Sequence, residues 1–266
     1  MKNIRYALRK IALTTTVLFL GSLIASSLRA GEVLEDVVEK RFPLAPLGTF
    51  SLRAIDGTVE IFGTDSPEVK IVAVKKAFSP ERLNAIAIRV DARPNVVNIE
   101  TTPPPVPHHH FSDRSGTVEY TINIPQTARI ARVELPNGNL VIDGMRGASI
   151  AANLGGGQLE THNCFCDQTI HVNQGELNVF FDWMEERPIS IEAGIENGNM
   201  MARLPTDAGF HLQAVAKEGH VSSDFSPMEN RKGDDSEINE VIGDDATTKL
   251  RFRAGEGNIH VSEVIW

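Results

Sequence analysis

The sequence predicts an all-β chain built as a single-stranded β-solenoid, a β-helix-like stack of short strands that turn at glycine. Three observations predict it: one Gly-centred motif recurs along the chain, its copies are evenly spaced through the middle, and the apolar residues are aliphatic. Hydrophobic residues make up 41% of the 266 residues and aromatic residues only 6%. With 21 glycines and 14 prolines lying between short apolar runs, short strands are favoured over long helices.

The motif alternates apolar or small residues, then has a polar residue and glycine, then alternates again. Its seven glycines are Gly57, Gly138, Gly157, Gly175, Gly198, Gly219 and Gly257. Two residues after them stand Val59, Leu140, Leu159, Leu177, Met200, Val221 and Ile259. Three residues before them stand Ala54, Leu135, Leu154, Val172, Ile195, Ala216 and Ala254. Alternation places one apolar row on one face of a strand, and the odd separation across the glycine breaks it, so the backbone must turn there. Glycine supplies the positive φ of such a turn, and the Asn or Asp before it tolerates the left-handed region. The steps between glycines are 81, 19, 18, 23, 21 and 38. Steps of about 20, small inward residues and serial stacking favour the solenoid. The alternative is a series of stacked β-hairpins, in which Leu135 would face Leu140 and Val133 would face Ile142. Beside the motif an outward row is expected from Arg53, Glu134, Asn153, His171, Glu196, Lys217 and Arg253, a ladder of mixed sign.

Taken in chain order, residues 1–30 read as a signal peptide. Lys2, Arg5, Arg9 and Lys10 precede an uncharged run from Ile11 to Leu28, and Ala30 precedes Gly31. Cleavage is expected after Ala30, or alternatively after Ser27; the other reading of this run is an uncleaved anchor. Residues 31–266 then form one β-strand-repeat domain. Without residues 1–30 the charge is 21 basic minus 35 acidic, or −14. That balance repels nucleic acid and anionic membrane, and no second long apolar run predicts a membrane span after cleavage. The segment from Phe42 to Gln126 carries further strands at Val69–Val74, Ala85–Val90, Val96–Glu100 and Thr117–Ile124. Pro103–Pro107 cannot join a ladder, so residues 101–116 are expected to form a loop. Residues 224–249, with eight acidic and three basic residues, read as an acidic insertion forming an exposed loop. Trp266 ends an alternating run and is placed to cap an open end of the stack.

The stretch FPLAPLGTFSL from Phe42 to Leu52, the following DGTVEIFGTDSPEVKI, the run VEYTINIPQTARI, and VELPNGNLVIDGMRG with its Gly-punctuated continuation resemble the bacterial "putative adhesin" domain family. The resemblance covers most of residues 42–264. It implies an exported β-solenoid-like domain of a family whose function is unknown, and it brings no catalytic residue with it. The acidic insertion and the histidine-containing loop depart from the family's plain pattern.

No catalytic, cofactor or metal site is expected. His108, His109 and His110 are consecutive, so an extended backbone cannot turn all three to one ion. His162 and His171 are expected outward as polar ladder positions. Cys164 and Cys166, two apart, lie at the limit for a bridge and are expected as adjacent buried thiols, with a strained turn disulfide as the alternative. The acidic insertion lacks the spacing of a calcium loop. The outward acids Glu60, Glu134, Asp143, Glu160 and Glu196 scatter rather than converge, and Gly155–Gly157 precede no helix. No cofactor follows from these residues. The function expected is that of an exported, non-enzymatic envelope protein in the periplasm, the cell envelope or outside the cell, its stacked surface acting as a scaffold or binding an envelope or surface macromolecule, protein or glycan. The alternatives are a carbohydrate-active enzyme on a β-helix, which requires two carboxylates and aromatic platforms in a groove, and an envelope-stress sensing module.

Overall fold

The computed structural model describes residues 32–107, 109, 112–225, 230–232, 235–243 and 246–264, without the side chains of 230–232 and 235. The leader, His108, His110 and Trp266 lie outside the described residues. In chain order the elements are β1 (Leu34–Pro43), β2 (Thr49–Arg53), β3 (Gly57–Thr64), β4 (Glu68–Ala77), α1 (Pro80–Ala85), β5 (Ala87–Arg93), β6 (Val96–Thr102), β7 (Thr117–Pro125), β8 (Arg129–Asp143), β9 (Ser149–His162), β10 (Asp167–Phe180), β11 (Ser190–Pro205), β12 (Phe210–Glu218), β13 (Val221–Ser223), β14 (Asn230–Lys232), β15 (Asp235–Ile242), β16 (Thr248–Glu256) and β17 (Ile259–Val264). The fold is all-β, an open sheet system that does not close into a barrel.

The middle copies of the motif are β8 to β11, each a strand that runs unbroken through its glycine. They pair in parallel and in register, so that Gly138 lies beside Gly157, Gly157 beside Gly175, and Gly175 beside Gly198. Hairpins are excluded for these copies, because Leu135 and Leu140 belong to one strand and pair with Leu154 and Leu159 of the next. At Gly138 the backbone takes φ +137°, and this single left-handed residue keeps Leu135 and Leu140, five apart, both buried. Rows such as Leu52, Val133, Ala152, Ile170 and Ala193 are thereby carried layer by layer into one aliphatic core, together with Leu154, Val172, Leu159 and Leu177. Each fully buried Leu, Ile or Val contributes about 1.5–3 kcal/mol of transfer free energy.

At one end β2 and β3 continue the stack on β8, with Gly57 beside Gly138. Beyond them β6 and β7 lie parallel to β2 and β3. Here residues 103–116 stand where the other layers have a glycine, so the proline segment leaves the sheet instead of bending within it. The end is finished by antiparallel strands: β5 on β6, β4 on β7, and β1 on β4. Between β4 and β5 lies α1, a helical turn that the strand pattern does not predict; it begins at a proline after Ser79 and buries no residue. Ala85, expected in a strand, closes it.

The other end departs from serial order. β16 and β17 pair in parallel with β11, and β12 and β13 pair with β16 and β17 on their far side. The last copy of the motif therefore sits between two earlier ones, and Gly257 comes between Gly198 and Gly219. The acidic insertion is not simply a loop. It contains β14 and β15, and β15 pairs antiparallel with the outer edge of β12. Alternation with Ser236 and Ile238 buried and Glu237, Asn239 and Val241 turned out lets a charged segment cover the edge of β12.

The outward row is also corrected. Arg53, Glu134, Asn153 and His171 are in register, and Arg53 Nε donates to Glu134 at 2.8 Å. The next layers place Gly194, Arg253 and Val215 there, not Glu196 or Lys217. Glu196 and Lys217 lie two residues further along, against the glycine bend.

Candidate functional site

Opposite the glycine bends, successive layers turn through 144–148, 163–166, 181–189 and 206–209. The third, Phe181–Ile189, is the longest of the four. It is anchored from the layers before it. Asn163 adopts a left-handed conformation with φ 47°, and its side chain accepts from the Asp182 backbone N–H and donates to the Asp182 carboxylate, each at 2.9 Å. Phe165 is buried, held by its N–H to the Met145 carbonyl at 2.8 Å, and its ring meets those of Phe181 at 5.3 Å and Trp183 at 5.5 Å. Arg146 lies 5.2 Å from the centroid of Phe165 and pairs with Glu185 at 2.9 Å. Glu185 also lies 3.9 Å from Arg187.

His162 closes β9 between two carboxylates, Nδ1 at 3.0 Å from Asp143 and Nε2 at 2.9 Å from Asp182. Hydrogen bonds from Asn163 and then His162 hold the Asp182 carboxyl below its ordinary value. A carboxylate only accepts, so a neutral imidazole serves one of the two at a time and an imidazolium serves both.

Between Phe181–Ile189, the Pro205–Gly209 turn, Gly243, Thr247, Thr248 and Val264 lies a groove of about 1040 Å³. Asp182, Trp183, Glu185, Glu186, Arg187 and Asp207 line it. Trp183 is 47% exposed, its indole backed by the Phe165 ring and open to the groove. Proton transfer to a glycosidic oxygen requires a carboxylic acid whose pKa is raised. Asp182 is shifted the other way, and Glu185 is ion-paired to Arg146. These carboxylates are suited to accept hydrogen bonds from hydroxyl groups beside an aromatic platform.

Of the acids named from sequence, Asp143 alone belongs to this corner. Glu60 and Glu160 are separated by Val141 of the intervening strand, Glu134 pairs with Arg53, and Glu196 lies outside the groove lining, 4.0 Å from His171. His171 Nε2 lies 3.0 Å from Asn173. Among the described residues no three His, Cys, Asp or Glu converge as metal ligands. Cys164 and Cys166 are buried, unbridged thiols. Burial pushes both upward in pKa, Cys166 to about 12. The glycines Gly57, Gly138, Gly157, Gly175, Gly198, Gly257 and Gly219 form one column, each at a positive φ and none lining the groove. Trp183, Asp182 and Arg146 are absent from the sequence-derived candidates. The signal was the step of 23 residues between Gly175 and Gly198, the longest of the even series, whose surplus is the Phe181–Ile189 turn.

No known family profile matches the chain. No curated protein matches it either. Similar solved structures include a "putative cell adhesion protein" of Clostridium sporogenes, 15% identical, covering 88% of this chain and 100% of its own, with a TM-score of 0.47. A "putative adhesin" of Bacteroides fragilis is 10% identical over 86% of this chain and 97% of its own, with a TM-score of 0.30. A "putative lipid binding protein" of Parabacteroides distasonis is 6% identical with the same coverages and a TM-score of 0.23. The first two carry names of the class that the sequence resembles. Among the described residues no helix is long and apolar enough to cross a membrane.

Proposed function

We propose that this chain is an exported, non-enzymatic protein of the cell envelope, a β-solenoid that binds a glycan segment in the groove beside Trp183. The groove carries the reading: an indole exposed on its rim, backed by a buried phenylalanine, next to carboxylates tied down by arginine, asparagine and histidine. An aromatic face covers the apolar face of a sugar, and ionised carboxylates accept from its hydroxyls. The solenoid is supported by the in-register glycine column and the parallel pairing of β8 to β11. Export is supported by the basic, then uncharged, then small-residue character of residues 1–30, which are removed to leave residues 31–266 as the functional domain.

The test is a panel of envelope and extracellular polysaccharides offered to the purified chain, scored both for retention and for chemistry. Retention of at least one glycan, with no new reducing end and no unsaturated product, is expected. Cleavage products overturn the non-enzymatic reading. Retention of envelope proteins with no glycan retained overturns the choice of ligand.

A further inference from the structure

β1 ends the sheet. Among the described residues its one paired strand is β4, in an unbroken ten-residue antiparallel register from Leu34 beside Ala77 to Pro43 beside Glu68. Alternate backbone groups of β1 therefore point away from β4 along a straight edge. Such edges are ordinarily blunted by a bulge, an interior proline, charged side chains or a covering element; β1 has no register shift, its proline is the terminal Pro43, and its charges are of both signs, Glu35, Asp36 and Glu39 with Lys40 and Arg41.

The sequence of this strand is self-complementary. Two copies related by a two-fold axis perpendicular to the sheet keep like faces together, so each residue must lie opposite one of the same parity. Three such registers centre on the strand. With the axis at Val37, Glu35 faces Glu39; with it at Glu39, that acid faces itself. With the axis at Val38, Glu35 faces Arg41, Asp36 faces Lys40, and Leu34 faces Phe42, each twice by symmetry. On one face Val38 and Phe42 already pack against the core, so this register also continues an apolar row from one copy to the other. Within the chain Asp36 pairs with Lys75, Glu35 with Lys76 and Arg41 with Glu68, whereas Lys40 has no ion-pair partner among the described residues. Asp36 of a second copy supplies that partner.

We propose that β1 is the interface for a second copy of this chain, which adds its own β1 antiparallel about Val38 and joins the two sheets into one. Opposed residues of an antiparallel pair have Cα atoms about 4.5–5.5 Å apart, within the span of a disulfide. The purified chain is expected to sediment as a dimer, and Val38→Cys to cross-link to itself under mild oxidation. Val37→Cys and Glu39→Cys are each expected to stay uncross-linked alone and to join when mixed. Lys40→Asp weakens the dimer about tenfold or more, since like charges then face each other twice, and adding Asp36→Lys restores it. A monomer at every concentration, or a dimer whose Val38→Cys form does not cross-link to itself, overturns the proposal.

Discussion

A methyl group on Gly138 would overlap the backbone carbonyl oxygen of Gly57 in the neighbouring layer. The same collision recurs along the column, from Gly157 against Gly138 to Gly257 against Gly198. The strands approach so closely at the bend that neither a side chain nor an ordinary φ is accommodated.

Gly138→Ala is therefore expected to cost about 3 kcal/mol or more, combining left-handed strain with a clash against rigid backbone. Gly194→Ala serves as the contrast. Its nearest atoms would lie 3.7 Å away, so it is expected to leave stability unchanged or raise it by up to about 1 kcal/mol. Urea midpoints at a constant m-value check both; equal losses at the two glycines would contradict the column.

Acid should act on the corner through Asp182. Its carboxyl is held below the ordinary value by Asn163 and His162, so the folded state binds this proton more weakly than the unfolded chain. The stabilisation is fully present above the unfolded carboxylate value of about 4 and is lost as pH falls through the lower folded value. Asp182→Asn is expected to flatten the acid limb of melting temperature against pH, leaving the neutral region shifted but parallel. Superimposable acid limbs would exclude Asp182.

Trp183 should report the groove directly. Trp183→Ala is expected to abolish glycan retention while lowering stability by only about 1 kcal/mol, because the indole is half exposed and loses one aromatic contact. Indole fluorescence of the unmodified chain, followed against glycan concentration, should change and saturate. Undiminished retention by the alanine variant would move the ligand elsewhere.

The two thiols should be silent in the folded chain. Burial raises both, Cys166 to about 12, so little thiolate forms at pH 8 and access is closed. A thiol-reactive disulfide reagent is expected to modify neither Cys164 nor Cys166 until urea is added, when both react. Rapid labelling of the native chain would show an open corner.

The periodic part of the fold was legible because strand alternation and a glycine every twenty or so residues are local signals. Leu135, Gly138 and Leu140 each declare their place within one short window. The layer order was not legible, since the parallel partner of β11 is decided by which apolar row fits beside Ala193 and Ile195, and β16 supplies it from almost sixty residues away. The strand in the acidic insertion was hidden by its charge, because Glu237 and Glu240 mask the alternation of Ser236 and Ile238. The corner was hidden for another reason: His162 meets Asp143 and Asp182 only once three layers are stacked, so no spacing in the chain announces it. Only the length of the turn after Phe180 was visible.

The interleaved last layer dictates the order in which the core can seal. A chain emerging from its N-terminus completes β11 and then β12, yet these two strands never touch along a ladder; the place between them belongs to β16 and β17. Until the final residues arrive, Ile195 and Ala216 each lie at a wet seam. The strands β16 and β17 are thus the wedge that joins β11 to β12.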